Sequence, residues 1–319
     1  MIAYTEIKIG ALTAQNRLVM PPMHTGKASK GHVTDELVRY YEDRAVSSRP
    51  GIIITEHSCI CESGRASETQ LSIAEDEMIA EHRLLTDAVH EGGCLAFVQL
   101  NHAGSNGICE PVSASEVNNP RNPALPTPRA LEKGEIREIE LLFAAAAQRA
   151  VKAGYDGVEI HCAHGYLLNQ FYSPVTNKRS DEYGGCLENR LRFLLETLAL
   201  VKDAAGKKVP VAVRLGGCDY MQGGSTEEDA VQAALIIEKA GADLLDISGG
   251  MCGYLVKGLP EPGYFTSMSE KIKKAVSIPV LTTGGIKTAA EAETILKAGK
   301  ADLAGIGRAL LKDAECLKR

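Results

Sequence analysis

The 319-residue sequence predicts a (β/α)8 barrel of the TIM class, with residues 1–319 forming one domain. Three observations carry that expectation. Eight short apolar segments alternate with longer amphipathic ones along the whole chain. The length suits one large α/β barrel or two ordinary domains. No composition break or low-complexity run divides it, and the Pro-rich patch at Asn119–Pro128 reads as a loop before the fourth strand.

Taken in order, the strands are expected at Arg17–Met20, Gly51–Glu56, Leu95–Gln99, Gly157–His161, Val211–Arg214, Leu244–Ser248, Val280–Thr283 and Leu303–Ile306. Each is a short apolar run, as a strand buried on both faces requires. Helical patterns fill the intervals at Asp35–Ser47, Asp76–Glu91, Lys133–Ala153, Leu187–Ala205, Thr226–Ala240 and Ala289–Ala298. Three of them close on Ala153-Gly154, Ala240-Gly241 and Ala298-Gly299, where glycine takes the left-handed cap without steric cost.

The C-terminal ends of barrel strands face one site, so they can be read together. The first strand ends in Pro21-Pro22-Met23-His24. Two prolines stiffen this turn and remove donors, so the backbone of Met23 and His24 can meet a flat ligand. At the second strand end, His57 reads equally as a ligand contact and as a packed loop histidine. The third ends on Gln99, whose amide offers both a donor and an acceptor. The fifth ends on Arg214, which needs an acceptor when buried, either a ligand's negative edge or an internal carboxylate such as Glu159. After the sixth, a long loop through Met251 and Tyr254 to Tyr264 reads as a cover over a substrate, and no lysine stands at the strand end for Schiff-base chemistry. The seventh and eighth end in Thr283-Gly284-Gly285-Ile286 and Gly305-Ile306-Gly307-Arg308. Glycines let backbone N–H groups approach a phosphate, and Arg308 adds a charge-assisted partner. This is the usual phosphate position of the fold.

The fourth strand and its sequel are the most informative stretch, from Gly154 to Glu196. The strand ends on His161, and His164 and Tyr166 follow within five residues. Three hydrogen-bonding side chains crowd one strand exit, the pattern of a reactive site. A metal is disfavoured, because His161 and His164 are not at i, i+4 on a helix and no neighbouring carboxylate offers a third ligand.

The segments GVEIH, AHGYLLNQF, SP, D-YGG and LENR-RF occur here in that order, and together they resemble the Old Yellow Enzyme family. The likeness is to the bacterial branch related to 2,4-dienoyl-CoA reductase and extends, more weakly, along nearly the whole chain. It implies an FMN-dependent ene-reductase, with NADH or NADPH as the transient electron donor. The same resemblance implies that Pro22, Met23, His24, His57, Gln99 and Arg214 meet the flavin ring, while Gly284, Gly285, Gly307 and Arg308 hold its phosphate. It further implies that His161 and His164 donate hydrogen bonds to the acceptor's oxygen and that Tyr166 protonates the α-carbon, after hydride transfer from flavin N5 to the β-carbon. A phenol of ordinary pKa stays protonated at neutral pH, as that role needs. Two departures stand out: His24 occupies a position where relatives often carry Thr or Cys, and Ser105 one where many carry Arg.

Composition narrows the alternatives. The net charge of −6 and the lack of a basic stripe disfavour nucleic acid. No apolar run approaches a membrane span, and the N-terminus has no signal-peptide core. The nine cysteines contain no C-x-x-C pair, which suits reduced thiols in a cytoplasmic protein and argues against an iron–sulfur cluster. Neither a Rossmann nor a Walker motif occurs, so a nicotinamide donor must bind at the flavin face itself. The expected partner is a small activated alkene, and a homo-oligomer is the expected assembly. The competing readings are a phosphate-binding barrel isomerase or lyase without flavin, and a flavin- or tetrapyrrole-binding protein without turnover.

Overall fold

The computed structural model describes residues 1–256, 258–259 and 262–318. Eight parallel strands close a barrel in sequential order: β1 Leu18–Met20, β2 Ile52–Cys59, β3 Leu95–Asn101, β4 Gly157–Cys162, β5 Val211–Cys218, β6 Leu244–Gly249, β7 Val280–Thr282 and β8 Leu303–Gly305. Helices surround it: α1 Asp35–Ser47, α2 Met78–Glu91, α3 Lys133–Ala153, α4 Leu167–Tyr172, α5 Leu187–Ala205, α6 Glu227–Lys239, α7 Thr266–Ala275, α8 Ala289–Lys297 and α9 Arg308–Lys312. The expected (β/α)8 architecture is the observed one.

Local chemistry starts and stops these helices. Thr34 Oγ1 accepts from Leu37 N at the start of α1, while Thr226 with Asp229 and Thr288 with Glu291 form capping boxes on α6 and α8. Gly154 ends α3 at φ 96°.

β2 and β5 run past their expected ends at Glu56 and Arg214. Pairing continues there because the neighbouring strands also extend, with Ser58 opposite Leu100 and Ser248 opposite Gly216. Register shifts between Thr55 and Ser58 and between Ser248 and Gly249 bend both rims beside the site.

Period-two alternation layers the interior. Val19, Ile52, Ile54, Phe97, Ala212, Leu244, Leu281 and Leu303 form an apolar lower layer. The hairpin Ile7–Ile9 and Leu12–Ala14 plugs it from below with Ile7, Ile9 and Ala14. Gly157 is required here, since a Cβ would meet the Phe97 ring at 2.3 Å. Two residues further along, the same strands carry Gln99, Glu159, Arg214 and Asp246, and one more step on β4 brings His161.

Candidate active site

A cavity of 1330 Å³ opens at the C-terminal ends of the strands, and the candidate catalytic and cofactor-binding residues all line it: Pro22, Met23, His24, His57, Gln99, His161, His164, Tyr166, Arg214, Gly284, Gly285, Gly307 and Arg308. Its floor is a buried polar layer. Gln99 Nε2 donates to Glu159 Oε1 at 2.8 Å, which turns the amide oxygen away from that carboxyl. Arg214 has an internal carboxylate partner, as the alternative to a ligand contact supposed, and that partner is Asp246 rather than the example Glu159, with Nε 3.1 Å from Oδ2. The choice of carboxylate follows from register, because Asp246 stands directly across from Arg214 on the next strand. Burial, reinforced by the Asp246 charge, pushes the Glu159 carboxyl up to about 8.

Above the floor stand the rings. His161 lies 5.0 Å from both His164 and Tyr166, and His57 lies 5.4 Å from Tyr166, all centroid to centroid. His24 stacks on His57 at 5.6 Å. The turn after β4 makes this clustering possible: His164 takes φ 60° and Gly165 φ 75°, a left-handed pair that folds the chain back over the strand end. His164 N donates to Gly249 O, and its Nε2 shares a 2.8 Å hydrogen bond with Ser248 Oγ. Burial, then neighbouring positive charge, hold both His161 and His164 well below the usual histidine range, so both are neutral. His161 Nδ1 is buried with no hydrogen-bond partner among the described residues, on a side chain that lines the cavity.

The proton positions follow from a chain of donors. Ala66 N–H donates to Gln70 Oε1 at 2.6 Å, which fixes that amide's orientation. Its Nε2 therefore donates to His57 Nδ1 at 2.7 Å, and the neutral His57 carries its proton on Nε2. Nε2 lies 3.3 Å from Tyr166 Oη, so the phenol oxygen accepts and its own proton is free to point elsewhere. Burial raises the Tyr166 pKa further, which keeps that proton on.

The β7–β8 end is open backbone. Gly284 and Gly285 take φ 104° and 75°, and a Cβ on Gly284 would meet the Tyr264 ring at 2.8 Å. A Cβ on Gly307 would meet Met23 Sδ at 2.9 Å. Arg308 Nη2 donates to Tyr264 Oη beside this end. Glycines without room for side chains, next to cations, fit a phosphate-bearing planar ligand such as FMN.

Sequence reasoning missed Gln70 and Arg121. Gln70 is fully buried behind His57. Arg121 sits in the patch read only as a loop, and lines the cavity. Ser105, where relatives often carry arginine, is buried and accepts from Asn119 Nδ2 at 3.3 Å. Of the cover loop, Met251 is buried and Tyr254 lines the cavity, while residues 257, 260 and 261 lie outside those described. No helix among the described residues is long and apolar enough to cross a membrane.

Comparison with known proteins adds an independent finding. Residues 4–319 match the model of the NADH:flavin oxidoreductase / NADH oxidase family. The chain is 40% identical to an NADH oxidase of Thermoanaerobacter brockii, over 99% of this chain and 50% of that protein. It is 38% identical to an NADPH dehydrogenase of Clostridium acetobutylicum, over 98% of this chain and 91% of that one. The solved 2-naphthoyl-CoA reductase in complex with 2-naphthoyl-CoA superposes with a TM-score of 0.94 at 26% identity, over 99% of this chain and 51% of that one. The chain thus spans about half the length of the first and last of these proteins.

Proposed function

The chain belongs to the NADH:flavin oxidoreductase / NADH oxidase family, and on that premise we propose that it is an ene-reductase that saturates an activated C=C bond. FMN, when bound, would take hydride from NADH or NADPH and deliver it to the electron-poor β-carbon. The glycines at 284, 285 and 307, with Arg308, would hold its phosphate, and Pro22, Met23, His24, His57, Gln99 and Arg214 would line its ring.

The rest is the chain's own chemistry. Neutral His161 and His164 donate N–H groups to the acceptor's carbonyl or nitro oxygen and stabilise the charge that develops there. Tyr166 gives its proton to the α-carbon. The observation that carries this reading is the Gln70–His57–Tyr166 chain, which leaves the Tyr166 O–H without an acceptor among the described residues, beside the histidine pair. Cys252, a competing donor, has its thiol turned to the Cys218 and Gly253 carbonyls.

Tyr166→Phe tests the assignment because it keeps the ring and removes the proton. Anaerobic bleaching of the flavin by NAD(P)H should persist in the variant. Reoxidation by an enone should slow by roughly 10²–10⁴, the usual effect of losing a general acid. Enone reduction at the wild-type rate would remove Tyr166 from the mechanism.

A further inference from the structure

The cavity is lined by Arg121, Arg214, Lys287, Arg308 and Lys312 and, among the described residues, by no aspartate or glutamate. That is unexpected in a chain whose net charge is −6. Arg214 is paired with Asp246 in the floor, and Arg308 stands at the glycine end proposed for the cofactor phosphate. Arg121 belongs to neither group.

The loop that carries it is anchored by Asn119, which is buried, donates to Asn106 Oδ1 and accepts from Arg121 N at 3.0 Å. Arg121 Nη1 donates to the His164 carbonyl at 3.1 Å, beside the proposed acceptor-binding histidine. The guanidinium lies flat against Gly253, where a Cβ would come within 2.5–2.6 Å of its Cζ and both Nη atoms. The Gly253 φ of 81° helps to keep this face free of a side chain. Among the described residues no carboxylate pairs with it, and the fork retains several unused N–H donors. The residue is exposed, so its guanidinium stands at the cavity wall open to an incoming ligand. A fork held against Gly253 and the His164 carbonyl and free of acids recognises carboxylate or phosphate oxygens.

We propose that Arg121 is an anion-binding residue for the electron acceptor, so that the substrate carries a carboxylate or phosphate a few bonds beyond its activated alkene. The inference rests on the reading that His161 and His164 hold the acceptor's oxygen, because Arg121 lies on the His164 side of the site. The same chemistry would suit the pyrophosphate of NADH or NADPH, which enters the same cavity.

The test uses the FMN-loaded, oxidised protein, which binds an acceptor without turning it over. Calorimetry compares 7-oxooct-5-enoate with its methyl ester, which differ only in the remote charge. The acid should bind on the order of tenfold more tightly than the ester, the equivalent of one charge-assisted contact. Arg121→Ala should abolish that preference, and Arg121→Glu should reverse it. No preference in the wild type, or one that survives Arg121→Ala, overturns the proposal. Two further arms separate the alternatives. If the KM for NADH rises in Arg121→Ala while that for the uncharged donor 1-benzyl-1,4-dihydronicotinamide does not, and the acid–ester preference is intact, the anion is the donor's and the assignment to the acceptor fails. If the preference depends on Arg121 but reduced protein never saturates the alkene, the anion site stands and the ene-reductase reading fails.

Discussion

His57 shows how a single buried amide can set the chemistry two residues away. The Gln70 side chain, oriented by Ala66 N–H, dictates which His57 nitrogen is protonated, and that in turn leaves the Tyr166 proton available. Gln70→Glu would substitute an acceptor for the donor. His57 should then carry its proton on Nδ1, and its Nε2 should draw in the Tyr166 hydroxyl. The ¹⁵N shifts of His57 should report the tautomer change directly, and enone reduction should slow by an order of magnitude or more. An unchanged tautomer would break the chain at its first link. The histidine pair makes a separate prediction. Both are held below the ordinary value of 6.5, first by desolvation and then by neighbouring positive charge. Neither gains a proton between about pH 6 and 8, so enone reduction should show no inflection there. A titration near the ordinary histidine value in wild type that disappears in His164→Ala would contradict this.

At the scale of the element, the same burial that tunes the site sets acid stability. His82 on α2 donates from Nε2 to the Ser72 carbonyl at 2.8 Å and accepts at Nδ1 from Tyr155 Oη at 2.9 Å, tying helix, loop and barrel together. Burial lowers its pKa to about 4, as it does for His57 and His102. These folded values lie below the unfolded value of 6.5, so the unfolded chain binds more protons. The stability they contribute is complete above that value and is lost as pH falls towards 4. His82→Leu strands the Ser72 carbonyl and the Tyr155 hydroxyl and should cost roughly 1–3 kcal/mol at neutral pH. Chemical denaturation across this pH range should also show a shallower acid loss in the variant. After β8, α9 begins on Arg308. Arg308→Ala should lower FMN retention on gel filtration by the equivalent of about 1.5–3 kcal/mol, the worth of a bond to a charged group. Full retention would take Arg308 out of the phosphate site.

For the whole molecule, legibility followed the range of the interaction that makes each feature. Runs such as Val211-Ala212-Val213 are legible because a doubly buried strand is apolar throughout. α1, α3 and α5 were legible to the residue, because long amphipathic patterns lie between recognisable start and stop signals. The plugging hairpin was not, since its strands of three residues are too short to show a period. α4, with six residues buried on all sides, gives no amphipathic stripe. The strand ends pointed to the cavity correctly because a barrel gathers them by topology alone. The partner of Arg214 needed the register of β5 against β6, and Gln70 and Arg121 act through folded contacts that no spacing encodes.

The central claim is that this barrel, loaded with FMN, passes reducing equivalents from a nicotinamide to an alkene. A single anaerobic turnover tests it most directly. The FMN-loaded protein is bleached with one equivalent of NADPH or NADH and then mixed with an excess of a cyclic enone. The account predicts that the flavin absorbance returns in full and that one saturated ketone forms per flavin reoxidised. Flavin that stays bleached until oxygen is admitted, with the enone recovered intact, would contradict it.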